Sequence, residues 1–82
     1  MIISYIQAAM RKAVYEILPE DGTYYGEIPG LQGVWANEPT LEDCREELQS
    51  VLEDWILVRI ADHLEIPAIE GINLSNFRSE VA

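Results

Sequence analysis

Cys44 and His63 are the two side chains from which this chain could build a nucleophile and its base. A reactive thiol needs its imidazole within hydrogen-bond reach. The pattern beginning at Thr40 places both residues on one continuous helix, 19 positions apart. At ~1.5 Å per residue that is about 28 Å, so they do not pair within one chain. Cys44 falls on the apolar seam of that helix and is expected to be a buried core thiol. His63 falls near the helix C-terminus, where a protonated imidazole complements the dipole. One cysteine and one histidine leave a structural zinc site short of ligands. Asp21-Gly22 lacks the alternating acidic ligands of a calcium loop. Gly26, Gly30 and Gly33 are not followed by the lysine and helix start of a phosphate-cradling loop. The carboxylates of Glu42, Glu46, Glu47, Glu53 and Asp54 are spread along a solvated helix face, not gathered for magnesium-dependent nuclease chemistry. The expectation is a protein with no catalytic residues, cofactor or metal, which works by presenting a surface.

The balance of charge says who would meet that surface. Five Lys and Arg against fifteen Asp and Glu give a formal charge of −10 over 82 residues. Such a field repels phosphates and steers basic partners inward, so direct nucleic-acid binding by this chain alone is not expected. An apolar fraction of 49% suits a folded chain, and the length suits a single domain over 1–82. Domains this small gain from association, which makes a homo-oligomer a reasonable expectation. The lone cysteine fits a reducing compartment. No apolar run approaches the ~20 residues of a membrane span. Met1-Ile2-Ile3-Ser4 also lacks the basic start of a signal peptide. The expected setting is cytoplasmic and soluble, with no membrane association.

These side chains need elements to carry them. Ser4 and Gln7 form a capping-box pattern, and Ile2, Ile6, Ala9 and Ala13, with Met10 beside them, share a helical stripe. They predict a short helix over 5–12, within an N-terminal extension over 1–12 of a core spanning 13–74. Alternation over 13–18 and 23–28, around Pro19-Glu20-Asp21-Gly22, predicts a hairpin. Tyr24, Gly26 and Ile28 would share the face of Tyr15, with Tyr25 and Glu27 on the other. Pro29-Gly30 and Gly33 punctuate a loop before a third short strand at Val34-Trp35-Ala36. Three residues do not decide which face Trp35 takes. Thr40 is a strong N-cap, with Glu42 and Asp43 in the first turn. Leu41, Cys44, Leu48, Val51, Trp55 and Val58 then trace one side of a helix of about six turns, widened by Leu52 and Ile56 and ending near His63-Leu64. A last extended piece at Ala68-Ile69 or 71–74 could add a short C-terminal strand, followed by a tail over 75–82 that Phe77 could tether. The fold class is α+β: a short N-terminal helix, a three-stranded antiparallel sheet, one long helix packed on it, and that last strand.

An interaction surface can be placed on this frame. Glu16, Tyr25 and Glu27 would face away from the long helix, with Leu31 and Gln32 on the adjoining loop. Aromatic groups with a polar rim are common interface chemistry. Ile56, Leu57 and Ile60 make the helix apolar nearly all round close to its end, which suggests a contact between copies in a dimer or tetramer.

The run Tyr24-Tyr25-Gly26-Glu27-Ile28-Pro29-Gly30-Leu31-Gln32-Gly33-Val34-Trp35-Ala36 is followed by Thr40-Leu41-Glu42-Asp43-Cys44-Arg45-Glu46-Glu47-Leu48 and Val51-Leu52-Glu53-Asp54-Trp55. In that order it resembles the HicB family of small bacterial antitoxin-like proteins, from about Val14 to Gly71. The resemblance implies a β-β-β-α-β core, a partial ribonuclease H-like fold without the catalytic carboxylates. It also implies a partner: a small basic, mRNA-cleaving toxin ribonuclease (HicA-like) whose active site the antitoxin covers. The alternative is a stand-alone homo-oligomeric protein of the same fold, without a toxin, in a structural or scaffolding role. Members of that family often carry a C-terminal DNA-binding segment. Only eleven residues follow Gly71, so operator binding by this chain is not expected.

Overall fold

The computed structural model describes residues 2–74. The order is α1 (Ile2–Arg11), β1 (Val14–Ile17), β2 (Tyr24–Glu27), β3 (Trp35–Glu38) and α2 (Leu41–Ala61). The class is α+β, as expected, with one antiparallel sheet in the order β1-β2-β3. The expected tail over 75–82, with Phe77, lies outside the described residues.

Register decides the two faces of the sheet. Tyr15, Gly26 and Ala36 stand opposite one another, as do Ile17, Tyr24 and Glu38. Side chains alternate along a strand, so these rows share the face that α2 covers. A Cβ on Gly26 would come within 2.7 Å of the Tyr15 ring and 3.2 Å of the Cys44 Sγ. The absence of a side chain there lets the helix approach. The other rows, Val14–Glu27–Trp35 and Glu16–Tyr25–Asn37, form the opposite face. α2 lies across β2 and β3 but makes no close backbone approach to β1. This leaves Ile17 on the covered face yet 59% exposed.

The turn after β1 is held by Leu18 and Thr23, and Asp21 Oδ1 accepts from both the amide and hydroxyl of Thr23. These bonds hold the Asp21 carboxyl below its usual range. At the far end of the sheet, Thr40 Oγ1 accepts from the Asp43 amide at 3.1 Å, so the expected cap is in place. The start of α1 differs from expectation. The helix already runs at Ile2, which puts Ser4 inside it and not at the cap.

The buried stripes are also rotated from those in the sequence pattern. In α2 the buried residues are Cys44, Leu48, Leu52 and Ile56, whereas Leu41 and Val58 are exposed. Each step of four residues advances about 40° round a helix, so this line turns about 120° along its length. In α1 the buried residues are Tyr5, Ala8 and Ala9, with Ile2, Ile6 and Met10, and Ala13 just beyond its end, packed only partly. Tyr5 is fully buried because its hydroxyl donates to the Pro67 carbonyl at 2.6 Å. Burial pushes that phenol up to about 12.

α2 ends in a Schellman arrangement. His63 adopts φ 57°, the His63 amide donates to Ile60 O, and the Leu64 amide donates to Arg59 O. Beyond it, the expected C-terminal strand is a minimal hairpin. Ile69 and Ile72 exchange both backbone hydrogen bonds round Glu70 and Gly71, whose φ values are 50° and 79°. Within the described residues it does not join the sheet. Ile66, Ile69 and Leu74 turn inward instead and close the core. Arg11 binds Glu70 at 2.9 Å, tying the end of α1 to this hairpin.

Candidate functional site

Tyr25 and Trp35 stack across β2 and β3 with ring centroids 6.0 Å apart and planes 19° from parallel. The side that three residues of sequence leave open for Trp35 is fixed by this pairing. Trp35 stands opposite Glu27, on the uncovered face. Tyr25 stands opposite Glu16 on one side and Asn37 on the other. Each ring therefore has a carboxylate-bearing residue directly across from it. Trp35 is 53% exposed and Val14 50%, so the face is apolar and aromatic as well as acidic. The Tyr25 hydroxyl is held above its usual value, first by desolvation, then by a hydrogen bond with Glu27 and the negative charges of Glu27 and Glu16. The ion pairs among the described residues are those of Arg11 and Lys12 with Glu70. Glu16 and Glu27 have no cation from this chain in an ion pair there.

The adjoining loop is rigidly built. The Leu31 amide donates to Ile28 O and the Val34 amide to Leu31 O, with Gly30 and Gly33 at φ 90° and 92°. Two consecutive turns of this kind, each with glycine at its third position, match the type II pattern. They send Ile28, Leu31 and Val34 into the core at three-residue intervals. Leu31 is 4% exposed, which removes its side chain from the outward contact set. Gln32 does face out, and its carbonyl accepts from the Trp55 indole at 3.1 Å. A shallow depression of about 470 Å³ runs beside the loop, lined by Tyr25, Glu27, Gln32 and Trp35 among others. Thus Tyr25, Glu27 and Gln32 converge, Glu16 extends the same face, and Leu31 supports it from below. Trp35, whose face the sequence leaves open, joins this set through its register opposite Glu27 and its stacking on Tyr25.

The helix residues divide differently. Ile56 is 1% exposed and Ile60 packs partly against the core, so neither shares an outward face with Leu57. Leu57 and Val58 are exposed, as is Leu64. Beside them, Val51, Trp55, Val58 and Leu64 line an apolar depression of about 310 Å³. Arg59 covers the Trp55 ring at 4.8 Å and donates through Nε to the Glu65 carbonyl. Cys44 and His63 stand towards opposite ends of α2. The Cys44 thiol is buried against the Ala36 carbonyl and pushed up by that burial. Among the described residues no group of three or more His, Cys, Asp or Glu is placed to hold a metal ion. No helix there is long and apolar enough to cross a membrane.

A two-helix, three-stranded domain with one sheet face covered and the other open defines a small α+β module. Residues 4–67 match the UPF0150-like family, and the chain belongs to that family. It is similar to the crystal structure of TTHA0281 from Thermus thermophilus, with a TM-score of 0.80 and 38% identity over 88% of this chain and 89% of that one. No curated protein matches.

Proposed function

We propose that this UPF0150-like domain is an HicB-like antitoxin that neutralises a small basic mRNA-cleaving toxin by covering its active site. The observation that carries the reading is the uncovered sheet face. It joins a stacked aromatic pair to carboxylates that form no ion pair among the described residues, on a chain of formal charge −10. A basic protein approaching that field is steered towards it, and the aromatic pair supplies the desolvated contact area. The contact set is Glu16, Tyr25, Glu27, Gln32 and Trp35. The domain itself does no chemistry, so RNA incubated with it and magnesium or manganese stays intact. Co-expression and co-purification with any small basic protein encoded beside it tests the reading. A complex that suppresses RNA cleavage by that protein is expected, and no binding at micromolar concentration in low salt overturns it.

A second reading is a stand-alone homo-oligomer with a scaffolding role, and Leu57, Val58 and Leu64 are the observation that favours it. Light scattering coupled to size exclusion separates the two. Oligomers that dissociate on Leu57→Lys, in a chain with no basic neighbour that binds it, support the second reading.

A further inference from the structure

We propose that the Tyr25–Trp35 surface, bordered by Glu16 and Glu27, is a receiving site for an arginine side chain of the partner protein. The proposal rests on the reading above for the partner being a basic protein. Its chemistry comes from the site. A planar guanidinium stacks on an aromatic face and donates in two directions from its edge, whereas an ammonium is a compact, strongly hydrated point charge. The open face offers both halves of that recognition. Trp35 stacks on Tyr25 with planes 19° from parallel and is itself half exposed, so a flat cation can extend the stack against the Trp35 ring. Glu27 stands across from Trp35, and Glu16 across from Tyr25. Carboxylates placed beside the rings can accept the N–H donors at the cation's edge.

The same molecule shows this chemistry satisfied internally at its other tryptophan, where the Arg59 guanidinium lies over Trp55 at 4.8 Å. Arg11 and Lys12 are engaged with Glu70. No described arginine or lysine is in an ion pair with Glu16 or Glu27, and Trp35 beside them is half exposed.

The test uses the full chain labelled with nitrogen-15, following the two indole N–H signals, which Trp35→Phe assigns. A hexa-arginine peptide is titrated against a hexa-lysine peptide of equal charge. The expected result is a saturable shift of the Trp35 signal with hexa-arginine, and binding about tenfold weaker for hexa-lysine. The Trp55 signal stays in place. The paired isosteric change Glu16→Gln with Glu27→Gln, which leaves the rings and packing intact, also weakens arginine binding by about tenfold. An unmoved Trp35 signal, or equal affinity for both peptides, overturns the proposal. Arginine binding here without any toxin binding sinks the antitoxin reading and leaves the site standing. Toxin binding that is unchanged in both Trp35→Ala and the glutamine pair sinks the site and leaves the reading.

Discussion

The chain's two tryptophans are used in opposite ways. Trp55 is consumed by the fold: its indole N–H is given to Gln32, its ring is covered by Arg59, and it thereby clamps the glycine-turn loop to α2. Trp35 is stacked on Tyr25 and remains half exposed, beside carboxylates that form no ion pair among the described residues. The contrast extends to the two sides of the sheet. One side has a glycine where Tyr15 and Cys44 leave no room for a Cβ, and the other carries Trp35 half exposed. Large aromatics help a domain fold only when something covers them, so an uncovered pair points outward, to a partner.

The largest expected effect separates the tryptophans directly. Trp55→Ala loses its packing, its hydrogen bond and its cation contact, and should cost about 2–3 kcal/mol. Thermal melting should show a fall of about 10–20 °C for a domain of this size. Trp35→Ala should cost about 0.5 kcal/mol or less. Equal losses would break the comparison. Next is the pair Gly26 and Glu27, adjacent in sequence and opposite in face. Gly26→Ala drives a methyl into Tyr15 and Cys44 and should cost about 2 kcal/mol in urea unfolding, against about 0.5 kcal/mol or less for Glu27→Ala.

The tyrosines sharpen the same contrast. Tyr5→Phe forfeits the bond to Pro67 O, at about 1 kcal/mol near neutral pH. It also removes an alkaline sensitivity. Below pH 10 the phenol is neutral in both folded and unfolded chains. Between 10 and about 12 the unfolded chain loses its proton first, so wild-type stability falls with rising pH across that window. Denaturant midpoints measured from about pH 9 to about pH 11.5 should decline more steeply for the wild type than for the variant. The smallest effect lies at the margin of the Trp55 corner. His63 is held in a left-handed conformation that glycine adopts freely, so His63→Gly should gain about 0.5–1 kcal/mol by thermal melting, without disturbing the Trp35 face.

Local signals serve well where the physics is local. The Thr40 cap and the acidic first turn announce α2, and Asp21-Gly22 announces the hairpin. Glycines at 30 and 33 announce the excursions between β2 and β3. The division of Tyr25 and Glu27 from Tyr24 and Gly26 follows from a two-residue period alone. Other features resist. The heptad-like seam through Leu41 and Val58 looks continuous, yet the buried line runs through Cys44, Leu48, Leu52 and Ile56, because packing against both the sheet and α1 decides which side is covered. Tyr5 escapes the pattern because its hydroxyl has no apolar logic until Pro67, 62 residues away, supplies an acceptor. Leu31 looks like a loop residue free to reach out, but the spacing of the two turns points it inward.

By itself, then, the order of residues determined the identity of the elements, their caps and turns, and the strongly acidic field. These depend on neighbours a few positions apart or on a simple sum of charges. Only the tertiary structure decided that Trp35 lies opposite Glu27 and beside Tyr25, that Ile56 is core, and that α2 leaves β1 flanked by solvent. Register and coverage depend on contacts between segments far apart in the chain, where a one-residue slip reverses every face.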